Sequence, residues 1–128
     1  MNCESDVKRL IPLYAPKLNL QGTAIPEPHG GLLLATLAGV ESNFGKNSVP
    51  RFEASYYTGG RTYNKSAVVR QLVAKYGKGA ASSWGPFQIM FSTGWDLGFR
   101  GEPEGLGEPI ANIDFAVRYL NKYCLCWK

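Results

Sequence analysis

The chain is poor in the side chains that hold metals. It has a single histidine, His29, and three cysteines, Cys3, Cys124 and Cys126. The cysteines lack the Cys-x-x-Cys pairs and the histidine partners of a zinc site, so we expect no metal and no cofactor. Cys3 can instead form a disulfide with Cys124 or Cys126, or the cysteines can be free thiols. His29 lies in a loop rich in proline and glycine, where a surface position is expected.

Long apolar runs and clusters of like charge are also missing. No run approaches the roughly 20 apolar residues of a membrane span, so we expect no membrane insertion. The net charge of +4 and the pI near 9.0 favour contact with polyanions such as nucleic acid, anionic membranes or bacterial wall polymers. The basic residues are scattered, which argues against nucleic-acid binding. We expect one monomeric domain over residues 1–128.

The apolar spacing predicts mainly helical structure. A first amphipathic helix is predicted from Ser5 to about Pro16, and a later one from an Asn64 cap to Gly77. The last helix is predicted to begin near Pro109. Residues 82–91 read as a tight turn into a short helix, and residues 93–109 as an exposed connection whose glutamates are solvated.

The stretch from Leu32 to Phe44 is predicted to be a buried helix that ends on a carboxylate. The nine residues before Glu41 carry no charge, so apolar walls are expected around its side chain. Such walls favour the protonated form of a carboxyl group, which can then act as a general acid. The alternative is that Glu41 only tops a core helix and points to water.

A second carboxylate, Glu53, follows in the sequence Arg51-Phe52-Glu53. Two carboxylates across a cleft are the usual equipment for cutting a glycosidic bond: one protonates the leaving oxygen and the other acts as base, nucleophile or charge stabiliser. Aromatic rings that stack on sugars and polar groups that bond to their hydroxyls occur nearby in the sequence. Those retained as candidates on this ground are Phe44, Tyr56, Ser83, Trp84 and Gln88.

Three short motifs in this order resemble those of lytic transglycosylase domains in the lysozyme-like superfamily. They are Glu41-Ser42-Asn43-Phe44, Gly85-Pro86-Phe87-Gln88-Ile89-Met90, and Asn112-Ile113 with Tyr119-Leu120. In addition, Arg51-Phe52-Glu53, the segment 82–90 and Gly98-Phe99 are similar to the N-acetylmuramidase domain of phage endolysins. Together these matches cover roughly residues 30–124.

The resemblance implies a mainly α, lysozyme-like (α+β) fold, with about five to seven helices around a buried central helix. A small loop or β-hairpin flanks the cleft. Glu41 is then the general acid and Glu53 the second carboxylate, while Ser42, Gln88 and Met90 contact glycan. The implied substrate is the MurNAc to GlcNAc β-1,4 bond of peptidoglycan in the bacterial cell wall, with hydrolysis and 1,6-anhydro formation both open. The alternative is a non-catalytic glycan-binding module that keeps the fold.

Overall fold

The computed structural model of the chain describes residues 2–124, which form a mainly helical domain with two small antiparallel sheets. The helices described are α1 (Glu4–Tyr14), α2 (His29–Ser42), α3 (Arg61–Lys65), α4 (Ala67–Tyr76), α5 (Phe91–Asp96), α6 (Pro103–Leu106) and α7 (Pro109–Tyr123). The strands are β1 (Asn19–Leu20), β2 (Thr23–Ala24), β3 (Arg51–Phe52), β4 (Ser82–Trp84) and β5 (Ile89–Met90). The prediction of a mainly α fold is confirmed.

Helix α7 is the centre of the core. It buries more residues than any other described helix: Asn112, Ile113, Phe115, Ala116, Val117 and Leu120. Helix α1 and strand β1 pack against it, and α1 contributes Val7 and Leu10 to the core. The apolar residues of α1 and α7 recur at three- and four-residue spacing, which gives each helix one buried face. Both helices were predicted from that spacing.

Helix α2 is not the buried central helix that the sequence predicts. Its buried residues form one narrow stripe at four-residue spacing: Gly30, Leu34, Ala38 and Ser42. The opposite face is open to solvent, since Leu32 is 58% exposed and Val40 is 76% exposed. The helix packs mainly against α1 and the turn at Ala15–Lys17. The absence of charge in this segment therefore did not indicate that the whole helix is buried. Only a narrow stripe, three of whose four residues are the small Gly30, Ala38 and Ser42, packs against the rest of the protein.

The helix predicted from Asn64 to Gly77 corresponds to α4, which begins later than predicted, at Ala67. Asn64 lies inside the short helix α3, and the cap of α4 is Ser66 instead. The Ser66 hydroxyl accepts a hydrogen bond from the Val69 N–H at 3.2 Å, which satisfies one of the open donors of the first turn. The prediction of Asn64 as the cap is therefore wrong.

The segment 93–109 is only partly an exposed connection. It contains α6, whose Pro103 and Leu106 are buried in the core. The prediction of a wholly exposed segment is wrong because two apolar side chains are enough to dock one helical turn. The three glutamates of the segment, Glu102, Glu104 and Glu108, are exposed as predicted.

The chain termini are not joined through Cys3. Its thiol is free and buried, and Sγ lies 3.4 Å from the Ser48 hydroxyl. The predicted disulfide from Cys3 is therefore wrong, and three free thiols are excluded as well because Cys124 is disulfide-bonded. Cys126 lies outside the described residues.

Among residues 2–124, no helix is long and apolar enough to cross a membrane.

Candidate active site

The C-terminal end of α2 is held by the side chain of Ser42. This residue is 2% exposed, and its hydroxyl donates to the Ala38 carbonyl at 3.2 Å and accepts from the Gly45 N–H at 2.8 Å. The chain then turns sharply, since Asn43 and Phe44 both adopt left-handed backbone angles with φ of 51° and 59°. Ser42 thus fixes the turn that directly follows Glu41, and its own hydroxyl is used within the protein.

Two further contacts set the position of Glu41. The ring of Phe44 folds back over Gly39, where an added Cβ would lie 2.9 Å from the ring atom Cζ. On the other side, Nη2 of Arg51 in β3 donates to the Glu41 carbonyl oxygen at 2.8 Å. The end of α2 is therefore tied to the sheet that β3 forms with β4 and β5.

Strands β4 and β5 form the hairpin that faces this helix end. Ser83 pairs with Met90 and Trp84 with Ile89, so that residues 85–88 make the connecting turn. The Gln88 side chain spans the turn: Nε2 donates to the Gly85 carbonyl at 2.9 Å and to the Val49 carbonyl at 3.2 Å. Its Oε1 accepts from the Ser83 hydroxyl at 3.0 Å. The predicted tight turn and the short helix α5 are both present, but the strands β4 and β5 that flank the turn were not predicted for this segment.

Asn112 of α7 fixes the same turn from the interior. It is fully buried, and its Oδ1 accepts from the Phe87 N–H at 2.7 Å. Its Nδ2 donates to the carbonyls of Trp84 at 2.7 Å and Leu106 at 2.9 Å. Gly85 has φ of 79°, and a Cβ there would overlap the Asn112 carboxamide. The asparagine of the Asn-Ile motif therefore shapes the hairpin turn.

A cavity of about 310 Å³ opens between the end of α2, the hairpin, α5 and α7. Its polar lining residues are Glu41, Gln88, Thr93 and Tyr119. The remaining walls are apolar: Leu37, Phe87, Ile89, Met90, Ala116 and Leu120. Glu41 is the one carboxylate among these lining residues, and it has no ion-pair partner within residues 2–124. The arrangement is a half-buried acid beside an apolar pocket.

The predicted site residues divide into three groups. Glu41, Gln88 and Met90 meet at this cavity. Tyr56 lines a second cavity of about 710 Å³. The others line neither of these two cavities in the described part of the chain: Ser42, Phe44, Glu53, Ser83 and Trp84. Their sugar contacts remain predictions.

Glu53 and Trp84 lie away from the Glu41 cavity. Glu53 follows β3 on the exposed surface, and its N–H donates to the Ala81 carbonyl at 2.8 Å. The Trp84 indole donates to the Gly79 carbonyl at 2.9 Å, and its ring lies against Gly107. Trp84 therefore packs between the 77–81 turn and the end of α6.

Tyr119 and Thr93 line both cavities and were missed from the sequence. Tyr119 is 43% exposed, and the centroid of its ring lies 5.1 Å from that of Tyr123. The available signal was its place in the Tyr119-Leu120 motif, because the other motif residues Glu41, Gln88 and Met90 line the same cavity.

The charges nearest the second cavity are mostly paired. Asp96 accepts from the Tyr123 hydroxyl at 3.0 Å and lies 3.6 Å from Lys122 Nζ. Tyr123 and the Asp96 carboxylate raise the pKa of Lys122 above its ordinary value. No cluster of three or more metal-ligating side chains occurs within residues 2–124.

Comparisons with known proteins give no relative: no family model, no curated protein and no solved structure matches the chain.

Proposed function

We propose that the chain is a lysozyme-like glycosidase that cleaves the MurNAc to GlcNAc β-1,4 bond of peptidoglycan, with Glu41 as the general acid. The observation that carries the proposal is the cavity in which Glu41 meets Gln88, Met90 and Tyr119. The three motifs that resemble lytic transglycosylases supply all four of these residues from separate parts of the chain. A glycan cleft requires polar and apolar side chains around a single acid, and in this cavity Gln88, Met90 and Tyr119 surround Glu41.

The cavity suits the chemistry of an acid. Six of its ten lining residues are apolar, so a sugar ring can pack against these walls with its glycosidic oxygen next to the Glu41 carboxyl group. A protonated Glu41 donates its proton to the glycosidic oxygen as the bond from that oxygen to C1 of MurNAc breaks. Loss of the leaving sugar creates an oxocarbenium-like centre at C1.

The second half of the reaction is proposed to use the substrate itself. Glu53 is exposed and does not line the Glu41 cavity, so no second carboxylate is available there among the described residues. The 6-hydroxyl of MurNAc then attacks C1, and its proton passes to the Glu41 carboxylate. A C1–O6 bond replaces the C1–O4 bond, no water is consumed, and Glu41 regains its proton. The product is a 1,6-anhydro sugar.

Mass spectrometry of digested peptidoglycan tests this proposal. The expected fragments end in 1,6-anhydro MurNAc and are one water lighter than fragments with a reducing end. Glu53→Gln is expected to give the same products at a similar rate. Reducing ends that depend on Glu53 would contradict the single-acid reaction, and no fragments at all would contradict the glycosidase assignment.

The second cavity favours one other candidate function, a non-catalytic glycan-binding module. Tyr56, Trp95, Tyr119 and Tyr123 line it, and none of them needs Glu41 to bind a sugar or a peptide. This function predicts that the chain sediments with insoluble walls but releases no soluble fragments. A native chain that releases fragments is an enzyme.

A further inference from the structure

The second cavity adjoins the Glu41 cavity. It has a volume of about 710 Å³ and shares Thr93 and Tyr119 with the smaller one. A ligand attached to a sugar at Glu41 can therefore enter it without leaving the surface of the protein. The Ser66 and Val69 end of α4 and the α5 residues Trp95 and Asp96 supply other walls.

Arg100 supplies a fixed cation to this cavity. Its guanidinium carbon lies 4.2 Å from the centroid of the Trp95 ring. Its Nη1 donates to the carbonyls of Trp95 at 2.6 Å and Phe99 at 2.8 Å. Among the described residues no carboxylate forms an ion pair with Arg100, and its Nε and Nη2 make no hydrogen bond there. The guanidinium is thus oriented, and donors remain for a ligand.

The acidic residue of the cavity does not cancel this charge. Asp96 is engaged with the Lys122 ammonium and the Tyr123 hydroxyl. The unpaired charge in the cavity is therefore positive and stacks on the Trp95 ring, while the side chains of Val68 and Val69 give the same cavity apolar walls. A planar guanidinium binds carboxylates with two parallel hydrogen bonds, and the apolar walls suit small aliphatic groups.

We infer that this second cavity binds the peptide that peptidoglycan carries on its MurNAc sugars, with Arg100 bonded to a peptide carboxylate. The inference rests on the proposed function, because it requires a MurNAc at Glu41. The peptide is attached to the same sugar whose C1 reacts, so it must lie next to the Glu41 cavity. Its carboxylates and alanine methyl groups match the unpaired cation and the apolar walls.

The test compares two substrates: purified peptidoglycan with its peptides intact, and the same glycan strands after an amidase has removed them. Arg100→Gln is expected to raise KM on the intact substrate about tenfold, the change typical for loss of a charge-assisted hydrogen bond. On the peptide-free strands its KM is expected to equal that of the native protein. Arg118→Gln is the matched control, because Arg118 also stacks on a ring, Phe115, but is paired with Asp114 and lines neither cavity.

The other outcomes overturn either the inference about Arg100 or the proposed function. Equal losses on both substrates would show that Arg100 acts on the glycan or on the fold, and no loss on either would remove its role in binding; both overturn the inference. An effect that disappears once wall phosphate polymers are stripped, with the peptides kept, would assign Arg100 to phosphate and also overturn it. If the native protein cleaves neither substrate, the proposed function itself fails.

Discussion

Replacement of Asn112 by alanine is expected to destabilise the domain more than any surface substitution of the same kind. The carboxamide is fully buried and makes three hydrogen bonds, to the Phe87 N–H and to the carbonyls of Trp84 and Leu106. Asn112→Ala leaves all three partners without the side chain that satisfied them. The affected groups belong to the hairpin turn and to the end of α6.

The magnitude follows from the number of bonds lost. Each buried hydrogen bond contributes about 1 kcal/mol net, so that the three together give about 3 kcal/mol of the free energy of unfolding. That loss is a large fraction of the roughly 5–15 kcal/mol by which a domain is stable. Asn121→Ala is the matched control on the same helix. Its side chain also bonds to backbone groups, at Asn19 and Lys17, but in an exposed setting, and about 1 kcal/mol is expected.

Urea unfolding followed by circular dichroism measures both losses on one scale. The expected result is a midpoint much lower for Asn112→Ala than for Asn121→Ala, with similar slopes. If the two variants unfold at the same urea concentration, the role given to Asn112 in shaping the turn is wrong.

Two further predictions concern backbone and burial. Gly85→Ala is expected to destabilise the domain strongly, because its Cβ would overlap the Asn112 carboxamide, whereas Gly59→Ala has a similar φ of 82° but open space around it. Thermal unfolding separates the two, and equal losses would mean that φ alone matters. Val40→Lys is expected to change the free energy of unfolding by less than about 0.5 kcal/mol because Val40 is exposed, while Leu34→Lys prevents folding. A Val40→Lys chain that fails to fold would restore α2 as a buried helix.

Local spacing was enough to predict the helices that pack by one face. Val7 and Leu10 in α1, and Ile113, Val117 and Leu120 in α7, recur at helical intervals and are buried. The α2 segment lacks such a contrast, because nearly all its residues are apolar or small. Which face of α2 is buried depends on its packing against α1 and the turn at Ala15–Lys17, and the local spacing of apolar residues does not indicate that packing.

The candidate site was predictable where a motif carried the residue. Glu41 and Gln88 lie in recognisable short sequences and meet at one cavity. Tyr119 joins them from α7, a contact between parts of the chain far apart in sequence. Glu53 is a carboxylate twelve positions after Glu41, as a second catalytic acid could be. Its orientation, however, depends on how β3 pairs with β4, where Arg51 lies opposite Ser83. Residue type alone could not reveal that its side chain would be outside the cavity.

The rate at which Glu41→Gln releases soluble fragments from purified peptidoglycan tests the central claim most directly. Glutamine keeps the size of the side chain but cannot donate the carboxyl proton, so a fall of at least about 100-fold is expected. Glu102→Gln, a change on the exposed surface, is the control and is expected to keep the native rate. A folded Glu41→Gln protein that releases fragments at the native rate would contradict the assignment of Glu41 as the general acid.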